Sequence, residues 1–295
     1  MNIESIDQLQ EVLRGHSYIA DRGLATAVFL ALKLQRPLFL EGEPGVGKTE
    51  IAKVVAGLLD TELIRLQCYE GLDVSQAVYE WNYTRQMLHI RLLEARGEKT
   101  QEAELFGEEF LLQRPLLQAI EVSREKAPVL LIDEVDRSDE EFEAFLLEIL
   151  SDFQITVPEI GTIKAVKPPV VVLTSNRTRE VHDALKRRCI YYWIDYPTFE
   201  KELDIVQARV PAAPEKLARQ VTRYIQELRQ ADLYKLPGVA ETLDWTAALV
   251  ALDQQALTLD VVHDTLGVIL KYQDDIGRIS GETARQILDR VKVAD

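Results

Sequence analysis

The octet Gly42-Glu43-Pro44-Gly45-Val46-Gly47-Lys48-Thr49 constrains this chain more than any other stretch. It follows the apolar run Pro37-Leu38-Phe39-Leu40 and precedes a helix-like segment near Glu50 to Leu59, so it stands where a buried strand turns into a helix. Glycines let such a loop fold tightly, so that backbone N–H groups converge at a helix N-terminus, where the helix dipole also favours negative charge. The spacing therefore predicts a phosphate-binding loop. Lys48 is expected to pair with the β- and γ-phosphates of a nucleotide, and Thr49 to place its hydroxyl on Mg²⁺. Gly42, Glu43, Pro44, Gly45, Val46, Gly47, Lys48, Thr49 and the adjoining Glu50 form the expected contact set, with ATP and Mg²⁺ as the ligands. A glycine turn that binds nothing is the alternative, and both flanks weigh against it.

A strand feeding such a loop needs neighbours. After the Asp60-Thr61 break, Glu62 to Gln67 reads as a second strand. Val129 to Ile132 and Val170 to Leu173 follow Pro128 and Pro168-Pro169, end in polar residues, and look like central parallel strands. Ile190 to Ile194, stopped by Pro197, is the fifth. With helices at Asp7 to Leu13, at Gly23 to Leu34 and in the connections, the pattern predicts an α/β fold: a five-stranded parallel P-loop sheet, helices on both faces. From Glu200 onward the pattern turns helical, interrupted at Pro211, Pro214 and Leu236-Pro237-Gly238. A chain of 295 residues is at the upper edge of one core, so two domains are expected: 1–199 as the α/β nucleotide-binding domain and 200–295 as a small all-α lid.

Val129-Leu130-Leu131-Ile132-Asp133-Glu134 is an apolar strand ending in two carboxylates. Asp133 is expected to hold Mg²⁺ through water, and Glu134 to polarise an attacking water as general base. A solvated acidic loop suits Asp139, Glu140 and Glu141 better than two acids capping a buried strand. The run from Val170 to Leu173 continues into Thr174-Ser175-Asn176, and Asn176 is placed to orient the same water. Asparagine at a strand end is more commonly a turn former; its spacing after Glu134 raises its standing.

Charge narrows the partners. A net charge of −15 repels phosphate backbones, so general nucleic-acid binding is not expected and a protein partner is. Lys186-Arg187-Arg188 is the one dense basic run. Cys68 and Cys189 lie in apolar surroundings and read as buried hydrophobes; the four histidines are scattered without zinc spacing. No apolar stretch reaches the ~20 residues a bilayer requires, and no basic segment precedes an apolar run at the start, so a cytoplasmic location is expected.

Together these residues resemble the AAA+ ATPases and, within them, the MoxR family, over nearly the whole chain. The loop, the Asp133-Glu134 pair and Asn176 as sensor 1 are shared by all AAA+ proteins. Two features are similar to MoxR proteins and their helix-2-insert relatives. One is the long stretch Gln76 to Leu117, ending in Phe110-Leu111-Leu112-Gln113-Arg114-Pro115-Leu116, which implies an insert in helix 2. The other is a hairpin, Phe153 to Val157 with Thr162 to Val166 around Pro158 to Gly161, directly before the sensor 1 strand. In the family these inserts face the ring pore or the substrate. Asp183 to Arg188 lies where AAA+ proteins carry the arginine finger that reaches a neighbouring subunit's γ-phosphate; Arg188 matches best, with Arg187 the alternative.

The resemblance implies hydrolysis of ATP to ADP and phosphate in a homo-oligomeric, hexameric ring. It also implies a chaperone role in maturing a metalloenzyme, such as carbon monoxide dehydrogenase, together with a von Willebrand A domain protein. The stretch Pro237 to Trp245 lacks the sensor 2 arginine of the family, which shifts weight to the arginines supplied in trans. A nucleic-acid-acting motor and a nucleotide-dependent binding switch with little hydrolysis are the alternatives.

Overall fold

The five apolar runs pair into one sheet in the computed structural model, which describes residues 3–97, 105–120 and 126–293. Strands β1 (Leu38–Gly42), β2 (Leu63–Gln67), β5 (Val129–Asp133), β8 (Val170–Ser175) and β9 (Ile190–Ile194) lie side by side in the order β2-β5-β8-β1-β9. The sheet is parallel, as expected. Every residue of β1 and β5 is buried, which is why their sequences are near-continuous apolar runs without alternation. In register, Ile132 faces Leu173 and Leu40 faces Thr174, so β5, β8 and β1 end level with one another.

Helices surround the sheet: α2 (Arg22–Leu34), α3 (Lys48–Leu59), α6 (Pro115–Ile120), α7 (Glu140–Asp152) and α8 (Asp183–Arg188). Asp60, in the left-handed region at φ 50°, turns the chain from α3 into β2. Asp139 caps α7, its carboxylate accepting from the Phe142 N–H at 2.8 Å. Before it in the chain, α1 (Ile6–Gly15) is capped by Ser5.

The long stretch after β2, where an insert in a helix is expected, is built of several elements. It holds α4 (Val74–Ala77), then β3 (Tyr79–Trp81) paired antiparallel with β4 (Leu111–Gln113), and between these strands α5 (Tyr83–Arg96). Asn82 caps the start of α5 and Gly97, at φ 74°, ends it. Part of the charge-rich segment Glu94 to Glu109, residues 98–104, lies outside the described residues. The second feature is a hairpin as expected, β6 (Gln154–Val157) against β7 (Gly161–Lys164), with the Thr156 and Thr162 hydroxyls 3.0 Å apart across it.

By its packing the chain separates into two units. The first comprises Gly23–Glu41 and Thr49–Trp193; the second comprises Glu4–Arg22, Gly42–Lys48 and the chain from Ile194 on. After Ile194 the described residues are helical: α9 (Phe199–Arg209), α10 (Glu215–Leu228), α11 (Val239–Ala251), α12 (Leu259–Ile269), α13 (Gln273–Ile279) and α14 (Glu282–Val293). Their core centres on Trp245, which packs edge-on against Tyr224 and donates its indole N–H to Thr265 Oγ1 at 2.7 Å. No described helix is long and apolar enough to cross a membrane.

One buried ion pair ties α9, α10 and α11 together. Arg229 donates twice to Glu202, 2.7 Å to each carboxylate oxygen, and once to the Pro237 carbonyl at 2.8 Å. Thr242 and Gln226 donate to the same carboxylate at 2.6 and 2.7 Å. Removing one partner leaves a buried guanidinium unpaired, a loss of about 3–5 kcal/mol. Glu202→Ala is therefore expected to lower the denaturant midpoint by that equivalent in an unfolding titration of the C-terminal helices; an unchanged midpoint would contradict it.

Candidate functional site

The ends of β5 and β8 bring a compact polar cluster together. Asp133 closes β5 with its side chain 4% exposed. Its Oδ1 accepts from Thr49 Oγ1 at 2.9 Å and from Thr174 Oγ1 at 2.5 Å; its Oδ2 accepts from both Nη2 and Nε of Arg65, at 2.5 and 3.1 Å. A hydroxyl at the start of α3 and a carboxylate at the end of β5 thus share one point. Two hard oxygens so placed suit Mg²⁺.

Glu134 follows, with its backbone in the left-handed region at φ 54°. A non-glycine residue there is uncommon and costs of order 1 kcal/mol or more, so the conformation must be held by its surroundings. Its N–H donates to Thr174 Oγ1 at 2.9 Å. Asn176 donates to Oε1 at 3.1 Å, and Gln67 and Arg137 donate to Oε2 at 3.0 and 3.2 Å. The carboxylate is fixed from three sides while its side chain remains 31% exposed, open enough for water to reach it. Buried Asp136 in turn holds the loop that follows β8, accepting from the N–H groups of Asn176 and Thr178 at 3.2 and 2.8 Å.

The phosphate-loop residues sit in the second unit, apart from Thr49 and Glu50. Lys48 is buried, and its ammonium donates to the carbonyls of Gly42 and Glu43 at 2.6 and 2.7 Å. Gly45 and Gly47 have φ of 76° and 95°, which a side chain resists. A Cβ on Gly42 would lie 2.1 Å from the Ile194 carbonyl oxygen. The start of α11 rests on this loop: the Ala240 N–H donates to the Gly45 carbonyl at 3.0 Å, and a Cβ on Gly238 would meet the Pro44 oxygen at 2.7 Å. This contact is made through backbone, at the stretch where an arginine is absent. Glu50, in the first turn of α3, pairs with Lys53 at 2.9 Å.

Arg187 and Arg188 stand apart from the cluster, exposed in the last turn of α8. Arg188 donates to Ser151 Oγ at 2.9 Å and to the Ala184 carbonyl at 3.3 Å. Arg36 caps the helix by donating to the carbonyls of Arg187 and Arg188 at 2.7 and 3.1 Å. Burial pushes the thiols of Cys68 and Cys189 up to about 12, so both remain protonated and unreactive at neutral pH.

Thr49, Asp133, Glu134 and Asn176, the candidates that the motifs mark, lie together in the fold. Arg65, Gln67 and Thr174 join them without belonging to any of those motif positions. The available signal was a polar residue at the C-terminal end of each buried strand, the end at which open α/β sheets bind ligands.

Comparison with known proteins gives a consistent picture. The profile of the AAA domain family, dynein-related subfamily, matches residues 37–189. Uncharacterised proteins of Staphylococcus aureus, from strains bovine RF122 / ET3-1 and NCTC 8325 / PS 47, are each 25% identical over 203 residues, 66% of this chain and 69% of theirs. Among solved structures, a proline-to-glycine mutant of Thermotoga maritima RuvB is similar at 20% identity and TM-score 0.50, over 93% of this chain and 75% of its own. A candidate ATPase of Cytophaga hutchinsonii is similar at 16% identity and TM-score 0.50, over 97% and 93%. These likenesses show the fold.

Proposed function

The chain belongs to the AAA domain family, dynein-related subfamily, and from that premise we propose that it hydrolyses ATP to ADP and phosphate. The observation that carries this reading is Glu134, pinned by Asn176 and Gln67 beside an Asp133 carboxylate that already meets the Thr49 hydroxyl. The loop from Gly42 to Gly47 offers its N–H groups to the phosphates, and Lys48 supplies the cation. Thr49 and Asp133 would hold Mg²⁺, which neutralises charge on the phosphate oxygens. Glu134 takes the proton of the attacking water while Asn176 orients that water. Arg188, with Arg187 the alternative, is supplied to the site of a neighbouring subunit, so that activity requires a ring, for which six subunits is our reading.

We place the protein among MoxR-type remodelling ATPases of the cytoplasm, with 1–199 as the nucleotide-binding domain and 200–295 as the lid. Two features support this: the β3–α5–β4 element and the β6–β7 hairpin occupy the positions that the resemblance assigns to pore- or substrate-facing inserts. A metalloenzyme client and a von Willebrand A domain protein are the partners such a role requires.

Nucleotide binding is tested at Lys48. Lys48→Ala removes the one side-chain cation of the loop. A hydrogen bond to a charged group contributes about 1.5–3 kcal/mol, so affinity for ATP should fall about 10- to 150-fold. Titration with a fluorescent ATP analogue measures this; affinity equal to wild type would sink the assignment of the loop.

A further inference from the structure

Glu41, the last residue of β1 before Gly42, has no part in the arrangement described so far. It is a carboxylate inside a strand whose other side chains are apolar, and its side chain is only 4% exposed. Its Oε2 accepts from the Tyr191 hydroxyl at 2.9 Å and from Lys186 Nζ at 3.4 Å; its Oε1 is buried and has no hydrogen-bond partner among the described residues. Burying a carboxylate on so few partners is unfavourable compared with an apolar residue of similar size. Phe39, two residues earlier on the same strand, stacks on Tyr191 with ring centroids 6.0 Å apart and lies 5.8 Å beneath Lys186 Nζ. The Tyr191 phenol is pushed up to about 12, first by burial and then by its bond to Glu41, so it stays a donor throughout the physiological range.

Both partners of Glu41 adjoin the candidate trans arginines. Lys186 directly precedes Arg187 and Arg188 in α8, and Tyr191 lies in β9, which follows that helix. Lys186 also reaches Glu180 at 3.4 Å, and Glu180 pairs with Arg177, the residue after Asn176. A chain of charge contacts therefore runs from the loop after β8 through α8 to the strand that enters the phosphate loop. The remaining anchors of the helix end are the Arg36 cap and the bond of Arg188 to Ser151.

We propose that Glu41 is a positioning residue: through Lys186 and Tyr191 it holds α8 against β1, and so sets where Arg188 stands when it reaches a neighbouring subunit. This rests on the reading of Arg188 as a residue acting in trans. Glu41→Gln keeps the size and one acceptor but loses the charge that holds Lys186. A displacement of about 1 Å in a positioning element costs on the order of 10²-fold in rate; turnover should fall by about that factor while the KM for ATP stays at the wild-type value.

Mixing experiments separate this role from a local one. A Glu41→Gln subunit keeps its own Lys48 and Glu134, and is defective only as a donor of Arg188. Mixed with Glu134→Gln, whose Arg188 is sound, it should recover activity; mixed with Arg188→Ala, the second defective donor, it should not. Amide exchange over residues 184–188 should quicken in the Glu41→Gln protein. The reverse pattern, recovery with Arg188→Ala alone, would mean that Glu41 serves its own phosphate loop and would overturn the proposal, as would unimpaired turnover or no recovery in either mixture. If Glu134→Gln and Arg188→Ala fail to restore each other, the trans reading of Arg188 has failed, and this inference falls with it. Should Glu41→Gln not fold, Lys186→Gln carries the same test with the same expected pattern and the same overturning result.

Discussion

Glu134→Gln should bind ATP as tightly as the wild-type protein and release phosphate about 10²–10⁴-fold more slowly, the range contributed by a positioned general base. Glutamine fills the same space and its carbonyl still accepts from Asn176; its amide nitrogen, which replaces the oxygen facing Gln67 and Arg137, is met by a turned Gln67 amide whose oxygen accepts, at the cost of the Arg137 contact. What is lost is the capacity to take a proton. The pinned geometry makes the expectation sharp: a carboxylate held at 3.1 Å by Asn176 and 3.0 Å by Gln67 has little freedom to be replaced by a neighbouring acid. Of the buried acids beside it in sequence, Asp133 is committed to Thr49, Thr174 and Arg65, and Asp136 to the N–H groups of Asn176 and Thr178.

The same variant reports on assembly and clients. Held in the ATP state, it should form rings, expected to be hexamers, by native mass spectrometry, and should retain a metalloenzyme or a von Willebrand A domain protein on affinity capture. Phosphate release near the wild-type rate would remove Glu134 from the role of base. Monomers at every concentration would remove the ring.

The frame of the candidate site was legible because its elements are constrained locally. The octet Gly42 to Thr49 combines positive φ at Gly45 and Gly47 with a lysine and a hydroxyl at fixed spacing, all within eight consecutive residues. The five strands of the sheet were legible because central parallel strands are buried on both faces, leaving the continuous runs seen in β1, β5 and β8. Residues whose role depends on register were not. Gln67 meets Glu134 because β2 pairs with β5 so that Gln67 lies opposite Asp133, an alignment that sequence spacing does not encode. Arg65, two residues earlier on the same face of β2, reaches Asp133 for the same reason.

The insert illustrates a different limit. Strands β3 and β4 are three residues each and are separated by a helix, so neither carries enough period-2 pattern to be distinguished from a helix flank. Glu41 is harder still, since Lys186 lies 145 residues further along the chain and a lone carboxylate before the loop reads as part of a polar turn. Gly238 belongs to a Leu-Pro-Gly break in sequence; only the fold shows that a Cβ there would strike the Pro44 carbonyl oxygen.

That backbone contact bears on how the site is completed. Where the resemblance leads one to look for a lid arginine, the start of α11 touches the phosphate loop through the Ala240 N–H and the bare Cα of Gly238. It adds no positive charge of its own. The stretch Pro237 to Trp245 contains no basic residue, so on the proposed reading the charge that develops on the transferring phosphoryl group is met by a cation from a neighbouring subunit.

Arg188→Ala should therefore bind ATP nearly as wild type does and hydrolyse it about 10³-fold or more slowly, the effect of losing a guanidinium supplied across an interface. Among the described residues of its own subunit the Arg188 side chain bonds to Ser151 and to the carbonyl of Ala184, at the exposed end of α8, so its truncation disturbs no residue of the Asp133 cluster. Arg187, capped alongside it by Arg36, is the comparison: Arg187→Ala should lose less if Arg188 is the finger, and the order should invert if it is not. The decisive measurement mixes two inactive proteins, Arg188→Ala and Glu134→Gln. An Arg188→Ala subunit retains Lys48 and Glu134, and a Glu134→Gln neighbour retains Arg188, so the interfaces that join them in that order are complete and activity should return. A role within the same subunit gives no recovery on mixing. A purely surface role gives an Arg188→Ala protein that was never impaired.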